Sequence, residues 1–236
     1  MKKEDKELIY DLLKKTDAYV TGYTSPAFTA PVSFKDDGEL EQKVVQTNDA
    51  LTLADLNAKI LRCTKCQLAR TRNNVVPGEG VEGPDVLVIG EGPGYDEDMS
   101  GRPFVGKAGL LLDKMLAAIG LDRTKNCYIA NVVKCRPPNN RDPEPAEQSA
   151  CEGFLQAQIH ILKPKMLLCM GRIAGHKLLD TQTPLNQLRG HFYDYNGIPL
   201  MVTYHPSALL RDESLKRPAW EDLKAFKQKL NELTGQ

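Results

Sequence analysis

No apolar run in the sequence approaches the roughly 20 residues that a helix needs to cross a bilayer. Its Met-Lys-Lys start leads into charge rather than into an apolar leader. Both absences point to a cytoplasmic protein. Net charge is absent too, with 31 basic residues against 31 acidic, so any attraction for nucleic acid must come from a local basic surface and not from a global field. There is no internal repeat. A hydrophobic content of 41% over 236 residues excludes a fibre or a wholly disordered chain, and leaves room for one sizeable α/β domain with an appendage.

What is present begins with cysteine. Cys63 and Cys66 stand in Arg-Cys-Thr-Lys-Cys-Gln, Cys135 in Lys-Cys-Arg-Pro-Pro, and Cys151 beyond it. Four thiolates can close the coordination shell of a zinc ion or of an iron-sulfur cluster. In a reducing compartment this pattern favours metal ligation over a disulfide framework. The spacing is uneven, with a long Pro-rich stretch between Cys135 and Cys151; that is unlike a compact zinc ribbon, and both metals stay open. Cys127, beside a strand, and Cys169, inside one, read as small apolar core residues.

Periodicity organises the rest. Leu8, Ile9, Leu12 and Leu13 predict a short amphipathic helix from Lys6 to about Tyr19, and Thr21 to Asn48 reads as a linker, so residues 1–51 form an extension. The domain then covers 52–236. Thr52 with Asp55 is a capping box for a helix that runs into Cys63. Strands are predicted at Val86–Ile89, Tyr128–Val133 and Met166–Met170, and a hairpin around Asn196-Gly197. Helices are predicted at Lys107–Ile119, Pro143–Leu162, after Gly171, and Arg217–Leu233. Such alternation argues for a largely parallel sheet with helices on both faces, whose ligands bind at the carboxyl ends of the strands. The loops after Gly90, Asn131 and Tyr204 then share one rim.

Each rim motif has a plain alternative. Gly90-Glu-Gly-Pro-Gly94 lacks the third glycine of a dinucleotide loop, carries Pro93, and is not followed at once by a predicted helix. It is either a tight turn or a loop in which Gly90 and Gly92 let backbone approach a ligand beside Glu91 or Glu97. Phe104 is a core residue or a ring that stacks on a nucleobase. Asn131 satisfies buried backbone, or uses its donor and acceptor to tell uracil from cytosine. His205, with Ser207 and Arg211 after it, is structural or meets the substrate and its phosphates. Lys134, Arg136 and Arg141 supply local positive charge.

Taken together, the Cys-x-x-Cys pair, Gly-Glu-Gly-Pro-Gly, Gly-Arg-Pro-Phe-Val-Gly, Asn-Val-Val-Lys-Cys-Arg-Pro-Pro and Tyr-His-Pro-Ser-Ala-Leu-Leu-Arg resemble the family-4, iron-sulfur uracil-DNA glycosylases, from about Leu53 to the C-terminus. The resemblance implies a three-layer α/β/α sandwich around a four-stranded, largely parallel sheet, with a 4Fe-4S cluster on Cys63, Cys66, Cys135 and Cys151. It implies that the Glu91 loop, including Gly90 and Gly92, holds uracil and the attacking water. Phe104 stacks on the base, Asn131 reads its pairing edge, and His205 donates to uracil O2. Where family-1 enzymes carry a water-activating Asp, Gly92 stands here, so Glu91, Glu97, Asn131 or backbone must place the water. DNA contacts are expected from Arg136, Arg141, Ser207 and Arg211, with Leu209 or its neighbour Leu210 as the wedge that fills the gap left by the flipped base.

The expected protein is a monomeric uracil-excising enzyme acting on single- or double-stranded DNA. Two alternatives are a uracil-DNA-binding module without turnover and a zinc-containing nucleic-acid scaffold. The first would carry an extra basic loop, and none is inserted between Arg136 and Cys151. The extension is expected to be a disordered leader or a tethered helix for an unidentified protein partner.

Overall fold

The computed structural model describes residues 4–11 and 52–235, and the chain divides into two units, residues 1–50 and 51–236. In the first unit residues 4–11 are helical, with Leu8 and Ile9 exposed. The continuation of that helix through Leu12 and Leu13 to Tyr19, and the linker expected at Thr21–Asn48, lie outside the described residues.

The second unit opens with α1 (Leu53–Leu61), capped as its sequence predicts: Thr52 accepts from the Asp55 N–H, and Asp55 accepts from the Thr52 N–H. Then come β1 (Glu79–Gly80), β2 (Val86–Gly90), α2 (Tyr95–Ser100), α3 (Lys107–Ala118) and β3 (Cys127–Asn131). They are followed by α4 (Pro145–Leu162), β4 (Met166–Met170), α5 (Arg172–Leu179), α6 (Leu185–Leu188), β5 (Phe192–Tyr195), β6 (Ile198–Thr203), α7 (Pro206–Arg211) and α8 (Lys216–Thr234).

The sheet order is β1-β3-β2-β4-β6-β5. Its middle four strands are parallel, as expected, and β1 and β5 add antiparallel edges. Val-Leu-Val-Ile-Gly, Cys-Tyr-Ile-Ala-Asn and Met-Leu-Leu-Cys-Met are buried throughout, because parallel strands are covered on both faces. Alternate side chains divide between two cores. Leu87, Ile89, Tyr128, Leu167 and Val202 join α1, α4 and α5 on one face. Val86, Val88, Ile129, Leu168 and Met201 meet Leu112 and Leu116 of α3 and Phe226 of α8 on the other. Cys127 and Cys169 are fully buried within these layers. Burial pushes the Cys127 thiol up to about 12 and the Cys169 thiol higher still, so both are inert core residues.

Register brings the site together. Gly90 pairs with Asn131 across β2 and β3, so the chain that leaves β2 runs beside the Asn131 side chain. At the end of β6, Thr203 donates to buried Asp222 at 2.6 Å, and Arg189 donates to the same carboxylate at 3.0 Å. That network anchors α8 under the strand that delivers His205. Asn196 and Gly197 both have positive φ in the predicted hairpin.

Candidate active site

A pocket of about 590 Å³ opens at the carboxyl ends of the parallel strands. It is lined by the predicted Glu91, Gly92, Glu97, Phe104, Asn131, Arg141, His205, Ser207 and Arg211, and also by Tyr95, Asp142 and Arg172. Gly90 lies just beneath: a Cβ there would stand 2.4 Å from Asn131 Oδ1 and 2.5 Å from Phe104 Cζ. Close approach of backbone to two functional side chains is what this glycine permits.

A short helix does follow the glycine loop at once: α2 begins at Tyr95, directly after Gly94. Its first turn carries Asp96, Glu97 and Asp98, which oppose a phosphate at that helix end. The dinucleotide alternative therefore fails on charge as well as on its missing glycine. Glu97 is consumed by backbone. Its Oε1 accepts the Val105 and Gly106 N–H groups at 2.9 and 3.0 Å, and its Oε2 accepts the Gly94 N–H at 3.1 Å. It staples the Gly94 turn to the segment after Phe104.

Phe104 is buried and has φ of 53°, a conformation that a non-glycine residue holds only under constraint. The constraint comes from Arg123, whose guanidinium donates to the Pro103 and Phe104 carbonyls at 2.9 and 3.0 Å. Asp113 accepts from the same guanidinium at 2.6 Å. No motif marks Arg123, because it is distant in sequence and acts through backbone.

Asn131 is 2% exposed, and its Oδ1 has no hydrogen-bond partner among the described residues. A buried amide oxygen left without a partner costs on the order of 1–3 kcal/mol, so it points to a ligand that donates to it. His205 is the N-cap of α7, and its Nδ1 accepts the Ser207 N–H at 3.2 Å. A backbone N–H can only donate, so the neutral ring carries its proton on Nε2. Burial and the nearby Arg211 pull its pKa down to about 4, against a smaller opposing pull from Glu97. Near neutral pH the ring is therefore an uncharged donor. Ser207, whose Oγ is also 2.8 Å from Nδ1, orients that ring.

Glu91 is pushed up to about 7, chiefly by burial and then by Asp142, while Arg172 and Arg211 act in the other direction. Arg172 and Asp142 form an ion pair at the rim. Arg141 is held by Glu147 through two hydrogen bonds of 2.9 and 2.7 Å, and Arg136 donates to Asn140 at 2.7 Å while lying over the Tyr95 ring. Two expectations need correction. Lys134 is not part of a basic surface but fully buried. Leu209 is 2% exposed and packs into the interior, whereas Leu210 is 49% exposed; in a helix adjacent residues face different ways, and α7 turns Leu210 outward.

Cys63, Cys66, Cys135 and Cys151 all line one small cavity, with Lys65, Arg72, Lys134 and Phe154 around them. Polar hydrogens converge on the sulfurs: Arg72 donates to Cys135 at 3.1 Å, the Lys134 N–H to Cys151 at 3.4 Å and the Lys65 N–H to Cys63 at 3.5 Å. Donors of this kind stabilise thiolate ligands. Burial pushes the Cys135 thiol up to about 11, while Arg72 acts in the other direction. No group of three His, Cys, Asp or Glu side chains among the described residues is gathered tightly enough for a single metal ion. No helix among the described residues is long and apolar enough to cross a membrane.

The sequence matches the family described as the uracil DNA glycosylase superfamily over residues 77–224. It is 41% identical over 192 residues to a type-4 uracil-DNA glycosylase of Archaeoglobus fulgidus, covering 78% of this chain and 94% of that one. A type-4 uracil-DNA glycosylase of Thermotoga maritima is 44% identical over 176 residues, 73% of this chain and 91% of that one. One from Sulfurisphaera tokodaii is 40% identical over 186 residues, 75% and 84% of the two chains. Matches of this identity, covering about three quarters of the chain, mean that it belongs to the uracil DNA glycosylase superfamily, in its type-4 branch.

Proposed function

We propose that this protein extrudes uracil from DNA and hydrolyses its N-glycosidic bond, releasing the free base and leaving an abasic site. The observation that carries this reading is one pocket holding both an unpartnered Asn131 Oδ1 and a neutral His205 with its proton on Nε2. Uracil presents N3–H as a donor and O4 as an acceptor, which a single amide satisfies. With the amide held in that orientation, cytosine presents the reverse pattern and leaves both amide atoms unpaired.

As the bond from N1 to C1′ lengthens, its electron pair passes into the uracil ring and the sugar becomes oxocarbenium-like. His205 Nε2–H meets the charge growing on O2, and being uncharged and fixed by Ser207 it needs no reorganisation. Phe104 covers the ring face. Water then bonds to C1′ through its oxygen and passes its extra proton to the Glu91 carboxylate, from which the proton leaves to solvent. The ionised Glu91 carboxylate orients that water, while Glu97, saturated by three backbone N–H groups, shapes the loop. Arg136, Arg172 and Arg211 take phosphates at the rim, and Leu210 fills the stack where uracil leaves it.

Cys63, Cys66, Cys135 and Cys151 would hold a 4Fe-4S cluster. The shared cavity and its convergent N–H donors fit four thiolates. When bound, the cluster supplies a cross-link between the segment after α1, the loop after β3 and α4. We further assign the enzyme to the cytoplasm, where its free thiols stay reduced. We also assign the enzyme as a monomer, which its mass in solution tests. Residues 1–51 are assigned to an appendage that catalysis does not need, and deletion before Thr52 should leave excision intact.

The test is incubation with single- and double-stranded oligonucleotides containing one uracil, followed by alkali. Cleavage at the uracil is the expected result, with a brown protein showing broad visible absorbance. Intact strands would sink the reading, and a colourless active protein would return the cysteines to zinc.

A further inference from the structure

Lys134 lies between Asn131 and the cysteine cavity. It is 1% exposed. Its Nζ donates to the backbone carbonyl of Asn131 at 2.7 Å and to Gln158 Oε1 at 2.6 Å. Gln158, also buried, is fixed in turn by donating to the Pro77 carbonyl at 2.8 Å. The lysine's own backbone faces the other way: its N–H donates to Cys151 Sγ at 3.4 Å, and its carbonyl accepts the Val76 N–H at 2.8 Å.

A buried ammonium is costly unless it is hydrogen-bonded and countercharged. A methionine would fill the same space at no such cost, so packing alone does not account for a lysine. The residue lines the cavity that the four cysteines share, and its N–H points at the Cys151 sulfur. Four thiolates around a bound cluster are an anionic shell that this residue borders. At its far end the same ammonium grips the backbone of the one residue that must hold an amide against the pairing edge of the base. One residue thus touches both sites, its side chain at Asn131 and its backbone N–H at Cys151.

We propose that Lys134 is a positioning residue which clamps the Asn131 backbone from the cysteine side, so that filling the cysteine cavity and aligning the Asn131 amide are mechanically one event. The inference rests on the uracil-excision reading and adds to it a residue outside the pocket. Loss of the thiolate shell frees Cys151, whose sulfur accepts the Lys134 N–H, and the clamp loosens. Loss of the lysine side chain removes the clamp and frees the segment between Asn131 and Cys135.

Lys134→Met keeps the volume and removes charge and donors. Gln158→Leu removes only the second anchor and lies about two turns along α4 from Cys151. Both are compared with the parent as full-length, iron-loaded protein. The measurements are single-turnover excision from a uracil oligonucleotide, affinity for the same strand without uracil, and the half-time of visible absorbance under a chelator. Lys134→Met is expected to slow excision by about 10- to 100-fold, the range for a residue that orients a functional one, with DNA affinity unchanged and the absorbance half-time shortened. Gln158→Leu should move both quantities the same way by less. Excision at the parental rate, or a loss of DNA affinity equal to the loss of rate, overturns the inference, as does an unaltered half-time. If Lys134→Met does not fold, Gln158→Leu decides by the same criteria. A parent that does not excise uracil overturns the function instead, and Lys134 is then judged by the half-time alone.

Discussion

The rings of Phe104 and His205 stand with centroids 5.5 Å apart and planes inclined by 34°, so the stacking face and the donor that serves O2 form one wall of the pocket. Phe104→Ala should lower kcat/KM on uracil DNA by roughly 5- to 150-fold, the equivalent of the about 1–3 kcal/mol carried by one base-aromatic stack. Steady-state excision checks this, and an unchanged value would make Phe104 a packing residue. Gly90→Ala should be worse. Its Cβ would meet both Phe104 and Asn131.

His205 makes a signed prediction about acid. Its folded pKa of about 4 lies below the roughly 6.5 of a free imidazole, so below pH 6.5 the unfolded chain binds a proton that the folded one refuses. Stability from this group is whole above 6.5 and is lost as pH falls towards 4. Denaturation midpoints at pH 7.5 and 5 should differ less in His205→Gln than in the parent. His205→Ala should cut turnover by about 100- to 1000-fold, as removal of a charge-stabilising donor does, with DNA binding retained.

Glu91 has the opposite sign. Its folded pKa, raised to about 7, means that the folded state holds a proton, so the stabilising effect is complete below the unfolded value near 4.5 and vanishes as pH rises through 7. Catalysis needs the ionised form, and single-turnover excision should climb through pH 7 to a plateau. Glu91→Gln should be slower and flat across that window. A parental profile in the variant would remove Glu91 from the placing of water.

The two leucines of α7 should separate cleanly. Leu210→Ala is expected to slow excision from duplex more than from single strands, since only a duplex leaves a gap to fill. Leu209→Ala should lower stability by about 2–5 kcal/mol, as truncation of a buried leucine does, and should slow both substrates alike. Urea denaturation and paired substrates distinguish them, and equal behaviour of the two variants would mean that neither is a wedge.

Cys135→Ser should reduce bound iron and visible absorbance and lower the thermal midpoint, because it opens the cross-link nearest Lys134. Iron analysis and calorimetry check this. Full iron content in the variant would take Cys135 out of the ligand set.

Much of the site was legible from residue type and order. Apolar runs at β2, β3 and β4 predicted parallel strands, and each chemical motif follows a strand end, so Glu91, Asn131 and His205 had to share a rim. Asn196-Gly197 and Thr52 with Asp55 announced their turn and cap through local hydrogen bonding. Other features depended on partners distant along the chain. Glu97 looked like a free carboxylate until Val105 and Gly106 were seen to fill it. Lys134 looked like surface charge until Gln158 closed over it. Arg123 had no signal at all, since its effect on Phe104 runs through carbonyl oxygens that every residue possesses.

By itself the sequence determined the layered α/β architecture, the family resemblance and the chemical identity of the groups, because hydrophobic period and side-chain functionality are local properties. Tertiary structure alone decided which groups remain available. It left Asn131 Oδ1 without a partner, kept His205 neutral, saturated Glu97, hid Leu209 and turned Leu210 outward. Burial and hydrogen bonding set the charge and reach of a side chain, and both are fixed by neighbours that folding brings from elsewhere in the chain.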